Sequence, residues 1–368
     1  MPQLFDAYTL SGLPLRNRIV MAPMTRARNP DAVPNDLTAL YYRQRASAGL
    51  IVSEGVPVSE MANGNLYVPG LYTPEQQEGW SHVTQAVHEE GGAIFAQLWH
   101  VGRASHQNLL HGRKPHSSTA RTADTKVFAY DLNGKPGFVQ ATEPHAMTTD
   151  EVRETAFDFG KAAGRAIRAG FDGVEIHGAN GYLLEQFMNP LVNDRTDQYG
   201  AQTMDDRLRF VLEVVDNVVA ATAPGKVGVR LSPWGRFNDM PDYAQLEETY
   251  LQLIRKLDER ELAYVHLMDQ SNGQGRPDAE GQNEAFLRKV REAFPRGAII
   301  VAGAMTLEVG NHLLQQGLVD LVGFGQPFIP NPDLVQRLQH GWPLEQPDRR
   351  TYYGGGREGY TDYPNYQG

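Results

Sequence analysis

The chain has 368 residues, 41% hydrophobic and 21% charged, proportions that suit a globular enzyme with a large core. Asp and Glu outnumber Lys and Arg by 44 to 34, a formal charge of −10, which argues against the basic face that nucleic acid requires. With no cysteine, disulfides, thiolate catalysis, iron–sulfur clusters and Cys-ligated zinc are excluded.

The first residues carry no basic segment followed by an apolar run, and no stretch reaches the ~20 apolar residues that span a bilayer. A cytoplasmic protein with no membrane contact is expected. Residues 4–17, with Ser11-Gly12 as the turn, read as a hairpin closing the bottom of a barrel.

Short runs rich in Val and Ile then recur, at 18–23, 50–55, 93–100, 173–178, 227–233, 264–269, 298–303 and 321–325. Continuous apolar runs of this length suit parallel strands buried on both faces. Helix-period segments at 75–90, 149–169, 207–221, 246–260, 284–294, 307–316 and 333–340 lie between them. Pro74 suits a first helical position, and the segment from Thr149 has a cap, early acidic residues and Gly170 after its end. Alternation of this kind predicts a (β/α)₈ TIM barrel, read as one domain over 1–368. An open dinucleotide-binding sheet would show a Gly-rich turn near its first strand, and none is present. Residues 101–147 break the repeat as a long aperiodic insertion, expected to be a lid. The tail from Thr351 is rich in tyrosine and glycine and is expected to pack against the body.

In barrels the chemistry sits where strands meet the following loops. Those positions hold Thr25, Gly55, Gln97, His177, Arg230, Asp269, Gly303 and Gly325. No lysine stands there for a Schiff base, and no pair of ligands stands at metal spacing. His100, His106, His111 and His116 have no carboxylate or thiol among them, so no metal is expected. One fixed cation, several amides and hydroxyls, and two late glycines suit a flat, polar cofactor bearing a phosphate. Ala302-Gly303-Ala304 and Gly323-Phe324-Gly325 each precede a helix. Glycine there lets backbone N–H groups approach a phosphate, or serves only a tight turn. Arg230 either stabilises negative charge on a reduced flavin or pairs with a carboxylate for structure. Gln97 either reads a flavin's pyrimidine edge or satisfies the backbone. The loop from His177 to Phe187 offers an imidazole, Asn180 and Tyr182 within six residues. They suit a substrate oxygen and a proton transfer, or else a satisfied buried histidine beside a packed tyrosine.

Taken in order, Ala22-Pro23-Met24-Thr25-Arg26, Ser53-Glu54-Gly55, Ala96-Gln97-Leu98-Trp99, the His177–Phe187 run, residues 193–200, Val229–Pro233, residues 323–334 and the tail form a specific set. Across nearly its whole length the chain resembles the old yellow enzyme family of FMN-dependent ene-reductases. The resemblance implies FMN, non-covalently held, and NADPH or NADH as hydride donor, in a monomer or homodimer. It places Thr25 on the flavin C4=O, and Ala22, Pro23, Met24, Gly55 and Gln97 around the ring. Arg230 would take the N1/O2 edge, and Gly303, Ala304, Phe324, Gly325 and Gln326 would surround the phosphate. It further implies that His177 and Asn180 bind a carbonyl or nitro oxygen, that Tyr182 donates the proton, and that Trp99 and Tyr353 shape the pocket. Gln326 stands where the family usually has Arg, Gly200-Ala201-Gln202 stands for the usual Gly-Gly-Ser, and Asn180 occupies a position that is His or Asn. Two rivals are an amine or dienoyl-thioester dehydrogenase, disfavoured without cysteines, and a flavin store or sensor, disfavoured by the intact His177, Asn180 and Tyr182.

Overall fold

The computed structural model describes residues 1–270 and 284–368. It opens on the expected hairpin, β1 (Tyr8–Leu10) and β2 (Leu13–Leu15), with Ser11 and Gly12 both in the left-handed region that a two-residue hairpin turn requires. Barrel strands follow: β3 (Ile19–Met21), β4 (Leu50–Pro57) and β5 (Ile94–Trp99). The insertion supplies β6 (His116–Ser117), β7 (Lys126–Tyr130), β8 (Pro136–Gln140) and β9 (His145–Ala146). The barrel resumes with β10 (Gly173–Gly178), β11 (Val227–Leu231), β12 (Tyr264–Met268), β13 (Ala298–Ala302) and β14 (Leu321–Phe324). These eight strands pair in parallel and close through β5 against β10, as the alternation predicts.

The helices are α1 (Asp36–Arg43), α2 (Pro74–Glu89), α3 (Thr149–Arg168), α4 (Leu183–Met188), α5 (Met204–Ala221), α6 (Leu246–Glu259), α7 (Glu284–Ala293), α8 (Leu307–Gln315) and α9 (Leu334–His340). Thr73 and Gln76 form a capping box before α2, and Thr148 and Glu151 form one before α3. The short α1 and α4 have no counterpart in the sequence pattern. α4, at six residues, is too brief to display a helical period.

At the bottom, Leu10 and Leu15 pack with Val20, Leu50, Val52, Phe95, Ile300 and Leu321. Each fully buried leucine stabilises by about 1.5–3 kcal/mol. The hairpin therefore plugs the N-terminal ends of the strands, and the opposite end is left for chemistry.

The insertion departs from expectation. It is not aperiodic: β7 and β8 form an antiparallel hairpin, and β6 pairs in parallel with β9. Its Lys126–Tyr130 strand alternates between exposed and buried positions, a signal only five residues long. The tail packs as expected. Arg26 donates to the carbonyls of Tyr352 and Gly359, Arg28 to those of Thr351 and Gly356, and Tyr360 stacks on Tyr41.

Candidate functional site

The C-terminal ends of the strands open onto two cavities of about 550 and 310 Å³. Both are lined by Pro23, Met24, Arg230, Met268 and Gln326, so they form one trough. The larger part is bounded by Ala22, Gly303, Ala304, Phe324 and Gly325, the smaller by Thr25, Gln97, Trp99, His177, Asn180, Tyr182 and Tyr353. Every residue singled out from the sequence thus lines the trough except Gly55. There a Cβ would sit 2.2 Å from the Trp99 ring. Gly55 makes room for Trp99, whose ring lines the smaller cavity.

The two late glycines have different reasons. Gly303 has φ 127°, and a Cβ there would lie 2.1 Å from the Asp269 carbonyl oxygen, so the backbone alone demands glycine. Gly325 has no such need: the nearest atom to its Cβ would be Met24 Sδ at 3.7 Å. A side chain at 325 would enter the trough, and its absence leaves a cradle beside the turn of 3₁₀ helix that begins at Gln326.

Arg230 is 5% exposed, its Nη2 meets Met268 Sδ at 3.2 Å, and its Nε has no partner. Burial lowers its pKa, but a guanidinium keeps its charge. Beneath it lies a fully buried carboxylate, Glu175, which accepts from Gln97 Nε2 at 2.8 Å and Tyr264 Oη at 3.1 Å and meets His266 Nδ1 at 2.8 Å. Burial opposes charge on Glu175, but His266, Arg230 and Gln97 outweigh it and hold its pKa down. Because the carboxylate only accepts, Gln97 must turn its nitrogen toward Glu175, and its carbonyl oxygen faces away.

The same logic fixes both groups of the His177 loop. The Ala179 N–H donates to His177 Nδ1 at 3.3 Å, so the neutral ring carries its proton on Nε2. Burial, reinforced by Arg230, pushes His177 down to about 3, which keeps it neutral. The Arg236 N–H donates to Gln270 Oε1 at 3.1 Å, which turns Gln270 Nε2 onto Asn180 Oδ1 at 2.9 Å. Asn180 Nδ2 is thereby left as a donor. The loop is held from below by buried Glu185, which accepts from Gly181 N–H, Ser232 and Tyr250. Tyr182 stands edge-on to His177 and Trp99, with ring centroids 5.1 and 5.4 Å away. Burial, with Tyr353 adding to it, pushes its phenol up to about 12, so it holds its proton.

The sequence pattern did not single out Glu175, His266, Glu185, Gln270 or Met268 as site residues. Asp269 was marked only as a strand end. The run Met268-Asp269-Gln270 at a strand end was the one available signal. The four histidines from 100 to 116 go to separate tasks: His100 Nδ1 accepts from Gly102 N–H, His106 from Asn108 N–H, and His111 pairs with Glu60. His116 lies beside His145, with ring centroids 5.6 Å apart. Among the described residues no three His, Asp or Glu gather as a metal would need, and no helix is long and apolar enough to cross a membrane.

The family model described as NADH:flavin oxidoreductase / NADH oxidase matches residues 3–345. The chain belongs to the old yellow enzyme family. It is an oxidoreductase and a flavoprotein, and the family implies FMN. A flavin oxidoreductase of Emericella nidulans is 39% identical over 98% of this chain and 97% of its own. A 12-oxophytodienoate reductase of Arabidopsis thaliana is 38% identical over 98% and 95%. A morphinone reductase structure in complex with tetrahydroNAD is 42% identical with a TM-score of 0.94, covering 100% of this chain and 98% of that one. The old yellow enzyme homologue from Zymomonas mobilis is 36% identical with a TM-score of 0.93, covering 99% and 100%.

The trough fits FMN on its own evidence. Arg230 has an unpartnered buried donor, and Gly325 leaves a cradle that no protein atom requires. These two observations favour the ligand reading of both features over the purely structural one.

Proposed function

We propose that the protein reduces the activated C=C bond of α,β-unsaturated carbonyl or nitro compounds with NADH or NADPH. The observation that carries this is the pair of donors, His177 Nε2 and Asn180 Nδ2, the first fixed in orientation by the Ala179 N–H and the second by the Gln270 amide, lining one cavity with a protonated Tyr182.

Ala22, Pro23, Met24, Thr25 and Gln97 would hold the FMN ring, Arg230 would offset negative charge on it, and Gly303, Ala304, Phe324, Gly325 and Gln326 would receive its phosphate. Bound FMN supplies the hydride that adds to the substrate's β-carbon. The chain's residues do the rest. His177 and Asn180 donate to the carbonyl or nitro oxygen, stabilising the negative charge that develops there and drawing density from the C=C bond. Tyr182 gives its proton to the α-carbon. Trp99 fixes the planes of His177 and Tyr182, and Tyr353 bounds the substrate's far side.

We read residues 1–368 as one domain whose insertion, 101–147, is a lid. Phe128 and Phe138 meet Tyr353, at 6.5 and 5.8 Å between centroids, beside the smaller cavity. Relatives named as reductases of morphinone and 12-oxophytodienoate support an enone substrate, and the tetrahydroNAD complex supports a nicotinamide reductant. Steady-state turnover with NADH and NADPH across enones, nitroalkenes and nitrate esters tests the reading. Nicotinamide-dependent loss of the C=C bond is expected, and nicotinamide oxidation by dioxygen alone, with no alkene consumed, contradicts it.

A further inference from the structure

Asn180 is held at every polar group but one. Its φ is 60°, and such conformations persist where the surroundings over-determine them. The Asn180 N–H donates to Ser232 Oγ at 2.8 Å, and the Asn180 carbonyl accepts from Asn238 Nδ2 at 2.7 Å. Its side-chain oxygen accepts from Gln270 Nε2 at 2.9 Å. Gln270 is buried just past β12 and lines the larger cavity, whereas Asn180 lines the smaller. Room for the Gln270 amide depends on a glycine: a Cβ on Gly235 would lie 2.9 Å from Gln270 Nε2 and 2.8 Å from the Ser232 carbonyl oxygen. The direction of these contacts is set by the main chain. A backbone N–H only donates, so the Arg236 N–H, with its nitrogen 3.1 Å from Gln270 Oε1, fixes which end of that amide is oxygen. The Gln270 nitrogen must then face Asn180, which answers with its oxygen, and Nδ2 is the group left for the trough.

We propose that Gln270 is a positioning residue that sets the polarity of the oxyanion site. It passes the donor character of the Arg236 N–H on to Asn180, so that the substrate oxygen meets N–H rather than C=O. The two ends of an amide side chain differ little in shape, and only their hydrogen bonds tell them apart. Without Gln270, nothing on the oxygen side holds the Asn180 amide in the donating orientation. The inference deepens the proposed function and rests on Asn180 donating to the substrate oxygen.

Gln270→Glu reverses the contact with little change of shape. A carboxylate only accepts, so it keeps the Arg236 N–H, draws Asn180 Nδ2 toward itself and leaves Oδ1 for the trough. In holoenzyme with isotope-labelled asparagine, the Asn180 side-chain amide resonances are assigned by their loss in Asn180→Ala. In alkaline buffer, where the new carboxyl is ionised, these resonances should move downfield in Gln270→Glu and their protons should exchange with solvent more slowly. Binding of a para-substituted phenol should weaken about tenfold in the same variant, as in Asn180→Ala. Gln270→Met, neutral and of similar size, frees the amide without reversing it, so its loss of phenol affinity should be smaller. Because Gln270 acts through Asn180, that loss should vanish in an Asn180→Ala background. Unchanged Asn180 resonances and exchange in Gln270→Glu, or fully additive losses in Gln270→Met with Asn180→Ala, overturn the proposal. Phenol affinity unchanged in Asn180→Ala alone would instead count against the proposed function, and the amide resonances would still decide whether Gln270 orients Asn180.

Discussion

The two ends of the barrel use the same backbone for opposite purposes. At the bottom, left-handed residues sit in a hairpin turn (Ser11, Gly12) and in helix-to-strand connections (Gly91, Gly170, Glu261), and the interior is an apolar layer around Leu10 and Leu15. At the top, Ala27, Asn180, Gly181, Trp234, Asn238, Asp239, Gly303 and Ala304 bend the loops around the trough. There the interior is a buried polar network of Arg230, Glu175, His266 and Gln97. Strain and buried charge are tolerated where they orient donors, and the plugged end supplies the stability that offsets them.

If this contrast is right, substitutions at the top should change chemistry far more than fold. The largest effect is expected from Tyr182→Phe, which should slow enone reduction by roughly 10²–10⁴ while leaving quinone reduction comparatively fast. Stopped-flow comparison of the two acceptors measures this, and equal losses would reassign Tyr182 to structure. Next come His177→Ala and Asn180→Ala, each removing one donor from the developing oxyanion. A loss of about 2.7–4 kcal/mol in the enone step is expected, with a smaller loss in the nicotinamide step. At the bottom, Leu15→Ala should cost about 2–5 kcal/mol of stability by denaturant titration and leave the ratio of the two acceptor rates alone.

Gln326 sharpens the comparison within the top itself. Arg230 is the one Lys or Arg among the described residues lining the larger cavity, which also carries Asp269 and Glu345. A neutral amide makes weaker contacts to a phosphate than a guanidinium does. Gln326→Arg should therefore tighten FMN binding by on the order of 1–2 kcal/mol, and the gain should shrink with salt. Dissociation constants at low and high ionic strength check it, and unchanged affinity would mean that another group already neutralises the phosphate.

The smallest effect concerns acid. His177 is pushed down to about 3 from an unfolded value near 6.5, so protonation favours the unfolded chain. Its contribution is complete above about pH 6.5 and is lost as pH falls toward 3. His177→Gln should accordingly show a shallower fall in melting temperature between pH 6.5 and 5. The opposite sign holds for Glu185, raised to about 7 by burial: its protonated form favours the folded state, and that support is lost as pH rises through 4.5 to 7.

The barrel was legible in the sequence because strands buried on both faces read as unbroken apolar runs, such as Ala298–Ala302, and because helices such as α3 carry their caps. Strand-end positions were legible for the same reason. Partners distant in sequence were not: Glu175 meets Tyr264 and His266 across 89 and 91 positions, and no local pattern marks that pairing. The reason for Gly55 was equally hidden, because it depends on where the Trp99 ring packs. In the insertion, strands of two to five residues are too short to show a period.

The central claim is that His177 Nε2 and Asn180 Nδ2 are preset donors for an oxyanion. Titrating the holoenzyme with a para-substituted phenol, whose anion mimics an enolate, tests this directly. The account predicts that His177→Ala and Asn180→Ala each weaken phenol binding by at least tenfold, about 1.4 kcal/mol. Phenol affinity unchanged in both variants would contradict it and place the oxyanion site elsewhere in the trough.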